Sequence, residues 1–250
     1  MQEIKEQQKV MQSIAHLFNT FEKSDCVIRP HFFLTGASGS GKSFMISQMA
    51  EKAEMGFIEL NAAQLTVEGV SGNSLSKALA PLKNFTGQPT VVFVDEFDKL
   101  LYSNGTEASS SRTGVQDELL KCLESDSISI FGDYGKYTQV QADNLLFVFA
   151  GAFNGEQIDS LENLKEKGLR NEFLGRVSLI LHAQTISLDS LLEAVPESNL
   201  LASYMKLYKS NKTKTIESIK ERVTVMYKKH NLGVRLITSA IHQHYLENQK

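Results

Sequence analysis

The spacing of apolar residues changes character twice along the chain. Over residues 2–21, Ile4, Val10, Met11, Ile14, Ala15, Leu17 and Phe18 recur among polar residues as one face of a helix would require. His31–Thr35 (HFFLT) is then a short run, mostly apolar, that stops at glycine, and Phe44–Lys52 returns to helical spacing. The order is strand, glycine-rich loop, helix. Phe57–Leu60 predicts a second strand, Leu75–Leu82 a helix, and Thr90–Val94 a β-branched strand that runs directly into Asp95 and Glu96. Leu145–Ala150 is a further strand with no polar residue at all. Strands that are apolar throughout and alternate with helices predict an α/β fold built on a parallel sheet covered on both faces.

Beyond about Thr185 the strand-like runs end. Leu188–Ala194, Asn199–Tyr208, Ile216–His230 and Val234–Gln249 all carry helical periodicity, punctuated by Pro196 and Gly233. The expected organisation is therefore an α/β nucleotide-binding domain over 1–185, including the N-terminal helix, followed by a small all-helical lid over 186–250. Between the strands, Ser103–Gly114 (SNGTEASSSRTG) predicts a small, polar loop, Val115–Leu123 an amphipathic helix, and Phe131–Val140 a hairpin or loop.

Composition narrows the class without naming a function. Hydrophobic residues make up 42% and charged residues 22% of the 250, which suits a chain that buries a core. A net charge of −3 argues against a chain dominated by nucleic-acid or anionic-membrane binding. Cys26 and Cys122 are far apart and lack CxxC spacing, which argues against a disulfide framework or a zinc site and for a reducing compartment. The longest apolar run, Leu145–Phe153, is too short to span a bilayer, and the charged N-terminus lacks the apolar core of a signal peptide. The expected location is cytoplasmic.

The chemistry begins at Gly36-Ala37-Ser38-Gly39-Ser40-Gly41-Lys42-Ser43, which satisfies G-x-x-x-x-G-K-[ST]. Glycines let the backbone curl so that successive N–H groups point inward at a helix N-terminus, a cradle for phosphates. Lys42 would reach the β- and γ-phosphates of ATP, and the Ser43 hydroxyl would ligate Mg²⁺. Downstream, Val91–Glu96 (VVFVDE) puts two carboxylates at the tip of a buried strand. Asp95 there can hold the metal's water shell and Glu96 can polarise an attacking water, so the pair favours hydrolysis over nucleotide sensing alone.

With both motifs placed, the chain resembles an AAA+ ATPase, and specifically the ClpX/HslU branch of protein unfoldases, from about Val10 to Leu246. Asp95-Glu96-Phe97-Asp98-Lys99-Leu100 resembles that branch's Asp-Glu-Ile-Asp-Lys-Ile, and Gly114-Val115-Gln116 its helix beginning Gly-Val-Gln. Gly151-Ala152-Phe153 resembles its strand ending Gly-Ala-Phe. Asn171–Arg176 resembles Pro-Glu-Phe-Ile-Gly-Arg, whose arginine is the finger inserted into the neighbouring subunit's site, and Gly233-Val234-Arg235 resembles the sensor-2 motif Gly-Ala-Arg. The resemblance implies that Arg176 and Arg235 neutralise charge on the γ-phosphoryl group. It also implies a homo-oligomeric ring, most simply a hexamer, a protein substrate, and ATP bound between the α/β domain and the lid.

The sequence departs from that branch in four places. The pore loop, Gly-Tyr-Val-Gly in the branch, is matched by Gly69-Val70-Ser71-Gly72, with Val70 at the aromatic's position, and Gly132–Val140 carries only Lys136 where the branch has a basic second pore loop. No sensor-1 residue is evident; Asn154 is the nearest polar candidate. The peptidase-docking tripeptide Ile-Gly-Phe is missing between Gly155 and Gly168, so no docking to a ClpP-type peptidase is expected. The expected function is a ring-forming, Mg²⁺-dependent ATPase that remodels proteins, a chaperone-like role. The alternatives are a nucleic-acid-linked ATPase, for which the lysine-rich run Tyr204–Lys229 is the one supporting feature, and a slow nucleotide-dependent switch.

Overall fold

The computed structural model describes residues 4–67, 72–101, 106–230 and 232–247. The described chain forms two compact units. One comprises residues 10–36 and 42–182. The other comprises 183–250 together with the chain up to Lys9 and the short stretch 37–41. The sequence reading keeps both of those last stretches with the α/β domain.

α1 (Gln8–Lys23), which belongs to the larger unit from Val10 onward, leads to β1 (Phe32–Thr35), α2 (Lys42–Lys52), β2 (Gly56–Asn61) and two short strands, β3 (Leu65–Thr66) and β4 (Asn73–Ser74). Then come α3 (Leu75–Ala78), β5 (Thr90–Asp95), α4 (Thr106–Glu124), β6 (Ser127–Phe131), β7 (Tyr137–Gln141), β8 (Leu145–Gly151), α5 (Leu161–Glu166), α6 (Asn171–Leu174) and β9 (Leu179–His182). Five strands make one sheet in the order β2-β5-β8-β1-β9, and every pairing in it is parallel. This is the α/β P-loop fold that the apolar strands predict. Burial follows position. The inner strands β5, β8 and β1 are buried almost without a break, whereas edge strands β2 and β9 are partly exposed. Strands inside a parallel sheet have both faces covered, so they read as continuous apolar runs; edge strands need not.

Of the hairpin or loop expected over 131–140, the structure has the hairpin, and it begins earlier, with β6 paired antiparallel with β7 from Ser127 to Gln141. The loop expected at Ser103–Gly114 is corrected. Residues 103–105 lie outside the described residues, and from Thr106 onward the stretch is the first half of α4. Serine costs a helix only a few tenths of a kcal/mol per residue relative to alanine. The downstream turns of the same helix are fixed by Val115, Leu119, Leu120 and Leu123, all buried in the main core, so the helix extends back through a weakly unfavourable stretch. Strand β9 was not foreseen: four half-exposed residues give too short a pattern to separate from loop.

In the smaller unit, α7 (Leu188–Ala194), α8 (Asn199–Tyr208), α9 (Lys212–Lys229) and α10 (Arg235–Glu247) surround a core of Ile186, Leu191, Val195, Ile219, Val223, Ile237 and Ile241. Three of the helices start with a side-chain cap. Ser187, Ser198 and Asn211 accept from the N–H groups of Ser190, Leu201 and Lys214, each cap contributing about 1 kcal/mol. Among the described residues no helix is long and apolar enough to cross a membrane.

One buried histidine makes the larger unit acid-sensitive. His31 is buried, and its Nδ1 accepts the N–H of Phe147 at 3.0 Å, which requires the neutral ring. Burial, and then the positive charge of Arg29, push His31 from the usual value near 6.5 down to about 3. Below pH 6.5 the unfolded chain binds a proton that the folded chain refuses. The neutral histidine's stability is complete above that pH and is lost progressively towards pH 3. Each pH unit in this window costs about 1.4 kcal/mol at this one site. Urea unfolding from pH 6 to 4 is expected to show a slope shallower by nearly that amount per pH unit in His31→Phe, although the variant starts less stable because the Phe147 N–H has lost its acceptor. Equal slopes would rule His31 out as the source.

Candidate nucleotide site

All five strands of the parallel sheet point their C-terminal ends the same way, and at such an end open α/β sheets bind ligands. β1 ends at Thr35, paired in register with His182 of β9, and the Thr35 hydroxyl lies 2.9 Å from His182 Nδ1. The chain continues through Gly36–Gly41 into α2, whose first residue is Lys42 and second Ser43. Gly36, Gly39 and Gly41 have φ of 141°, 79° and 89°, the left-handed region that glycine reaches without steric cost. Lys42 is buried, and its ammonium donates to the Gly36 carbonyl at 2.6 Å. The first N–H groups of an 11-residue helix have no acceptor inside it, and the helix dipole puts positive charge at that end.

The acidic motif sits two strands away. β8 lies between β1 and β5, which puts Asp95 about 10 Å across the sheet from the end of β1, taking two strand spacings. Asp95 closes β5, and its Oδ1 accepts the N–H of Glu96 at 2.8 Å. Glu96 turns the chain in the left-handed conformation, φ 54° and ψ 29°, and its side chain is exposed. The residue that enforces this turn is Phe97, which is fully buried and packs its ring 4.9 Å from Phe149, 5.6 Å from Phe173 and 5.8 Å from Phe33. A non-glycine residue held at positive φ stores about 1 kcal/mol of strain, and burial of the adjacent phenylalanine outweighs it. The strand end thus offers one carboxylate tied to its own backbone and a second directed to solvent. The turn that follows is held by the Asp98 carbonyl, which accepts the Leu101 N–H at 3.2 Å, and by Gln116, whose amide donates to the Leu100 carbonyl at 3.0 Å.

The arginines differ in their surroundings. Arg176 follows α6 and is exposed; its guanidinium pairs with Glu124 on α4 at 3.1 Å. Its backbone is fixed by Phe173, whose carbonyl accepts the N–H groups of Arg176 and Val177. Arg235 opens α10 in the smaller unit, and there its guanidinium donates to the Ser38 hydroxyl at 2.9 Å. In the same unit the Val234 N–H donates to the Gly39 carbonyl at 3.1 Å. The backbones around Gly39 and Gly233 approach so closely that a Cβ on Gly39 would lie 2.0 Å from the Leu232 carbonyl oxygen, and one on Gly233 2.1 Å from that of Gly39. Both positions therefore require glycine. Asn154 lies just past the end of β8, exposed and left-handed at φ 56°. Gly69, Val70 and Ser71 lie outside the described residues, so the pore-loop reading has no structural counterpart here. In the basic run, Arg222 is paired with Glu247 at 2.5 Å.

The residues present suit a polyphosphate. In the larger unit a buried lysine opens an 11-residue helix, and in the smaller unit the Ser40 hydroxyl is buried with no hydrogen-bond partner. Open space lies in front of Gly41, where an added Cβ would meet nothing within 4 Å. Sequence reading missed the aromatic ring cluster that positions both Glu96 and Arg176, because a core phenylalanine carries no local sign of what it supports. It also missed the Thr35–His182 contact, which depends on the unforeseen strand β9.

This fold and this loop define a P-loop nucleotide-binding protein of the AAA type. Residues 32–195 match the AAA family, the ATPase family associated with various cellular activities, and the chain belongs to it. It is similar, at lower identity, to subunits named ATP-dependent Clp protease ATP-binding subunit ClpX. It is 26% identical to ClpX 2 of Wolinella succinogenes over 218 residues, covering 72% of this chain and 55% of that protein. To the subunit of Bacteroides thetaiotaomicron it is 23% identical over 263 aligned positions, covering 85% and 63%. To that of Azotobacter vinelandii it is 25% identical over 228, covering 72% and 52%. The chain thus spans between about half and two-thirds of the length of these relatives.

Proposed function

We propose that the protein is a Mg²⁺-dependent ATP hydrolase that assembles with copies of itself into a ring, a hexamer as the resemblance implies, and uses turnover to remodel or disassemble a protein substrate. The observation that carries this reading is the placement, at one end of one parallel sheet, of Lys42 and Ser43 on one helix start and of Asp95 and a solvent-directed Glu96 on a strand end. Lys42 binds the β- and γ-phosphates, and the loop N–H groups hold the remaining phosphate oxygens. Ser43 and Asp95 would hold Mg²⁺, Asp95 through water, and the ion would supply positive charge to offset that of the phosphates. Glu96 accepts a proton from water and aims it at the γ-phosphorus. Arg235, already at Ser38, and Arg176 of a neighbouring copy neutralise charge as the phosphoryl group departs. The protein substrate rests on similarity to the ClpX subunits, and the net charge of −3 does not favour nucleic acid.

The deciding measurement is ATP turnover per subunit against protein concentration, with unfolded protein or single-stranded DNA added. Turnover is expected to rise steeply with concentration as shared sites assemble and to increase further with the unfolded protein. A near-zero rate at every concentration, unmoved by either addition, would sink the motor reading.

A further inference from the structure

The chain leading into α1 reaches the phosphate loop. Lys5 pairs with Glu193 at 3.0 Å, and Glu6 accepts the Ser187 N–H at 3.0 Å and the Ser190 hydroxyl at 2.9 Å. Gln7, the next residue, is buried, only 2% exposed. Its amide nitrogen donates to two backbone carbonyls, Gln184 at 2.7 Å and Ser40 at 3.1 Å. Both acceptors are carbonyl oxygens, so the nitrogen must be the end that faces them. The other end, Oε1, is buried with no hydrogen-bond partner. A buried acceptor left unpaired costs about as much as a hydrogen bond contributes, which makes Gln7 a poor choice for stability alone.

We propose that Gln7 is a positioning residue for the phosphate loop: by holding the Ser40 carbonyl it orients the Gly41 N–H for phosphate binding. The reasoning is that of the planar peptide. In a trans peptide the carbonyl and the following N–H point in opposite directions, so fixing one fixes the other. Gly41, at φ 89° with open space where a side chain would be, has nothing of its own to prevent that peptide from rotating. Gln7 supplies the missing restraint from outside the loop, and Lys5 and Glu6 hold Gln7 in place. The inference rests on the loop binding ATP.

The test compares the full chain with Gln7→Leu and Gln7→Glu, reading MgATP affinity by titration with a fluorescent ATP analogue, kcat and KM for ATP, and the thermal midpoint. Loss of the restraint weakens substrate and transition state alike, so Gln7→Leu should raise Kd and KM by about tenfold and leave kcat close to wild type. Gln7→Glu should bind poorly at pH 8, where the introduced carboxylate faces a carbonyl. It should recover towards wild type at pH 6 as the carboxyl regains a proton to donate, measured as the ratio to wild type at each pH. Wild-type affinity in Gln7→Leu would overturn the proposal, as would a Gln7→Glu deficit that does not shrink with acid; the latter reading stands even if the leucine variant fails to fold. If the wild-type chain binds no MgATP, the failure belongs to the ATPase reading instead.

Discussion

Glu96→Gln is expected to leave MgATP binding intact and to lower steady-state turnover by about 10²–10⁴-fold, the usual contribution of a positioned general base. The structure isolates the chemistry of this residue from its architecture. The left-handed turn at Glu96 is held by the bond from its N–H to Asp95 Oδ1 and by the buried Phe97 that follows, and neither involves the Glu96 carboxylate. The side chain itself is exposed, so glutamine replaces it without changing packing. What is lost is the ability to accept a proton from water as it attacks. Binding is measured by nucleotide titration and turnover by phosphate release. Undiminished turnover with unaltered binding would show that Glu96 is not the base, and the acidic strand end would then be a structural turn.

The parts of this fold that were legible in the sequence are those where one physical demand acts on consecutive residues. Val91–Val94 and Leu145–Ala150 read as buried strands because both their faces are covered, and Gly36–Ser43 as a tight loop into a helix because its glycines take the left-handed turns. The helices of the C-terminal part were legible for the same reason, each burying one regular stripe. What escaped has its cause elsewhere in the chain. The first half of α4 is polar and serine-rich and is helical because the turns after it are anchored in the core. Gln7 lies among charged residues near the N-terminus, and only the path of the backbone brings it to Ser40, 33 positions away. The role expected of Arg176 rests on likeness to a known motif, not on any physical property of its neighbours.

Phe173 connects the two halves of the proposed chemistry. It packs against Phe97, which seats Glu96, and its carbonyl accepts the N–H of Arg176. The acidic turn and the arginine are thus both in contact with one buried residue, the first through its ring and the second through its backbone carbonyl. Such a route would let a subunit's own site and its reach into a neighbour's respond together, given an element with two discrete arrangements.

Arg176→Ala is expected to lower turnover by about 10³-fold or more, in the range for loss of an arginine finger, while MgATP binding and folding persist. The pair that Arg176 makes with Glu124 is solvent-exposed on both sides and contributes little to stability, so breaking it in order to reach a neighbour's phosphate costs little and deleting it leaves the fold intact. Loss of turnover alone cannot say whose site the arginine serves; mixing can. Arg176→Ala subunits keep a complete Glu96 but offer no arginine, whereas Glu96→Gln subunits keep the arginine and lack the base. If the arginine acts across an interface, each mutant is inactive by itself, and an equimolar mixture regains turnover wherever an intact Glu96 meets an intact Arg176 from next door. If it acts within its own subunit, no mixture can restore a complete site and the blend stays as slow as its components. That second outcome would remove the ring from the proposed mechanism and leave a hydrolase that works one chain at a time.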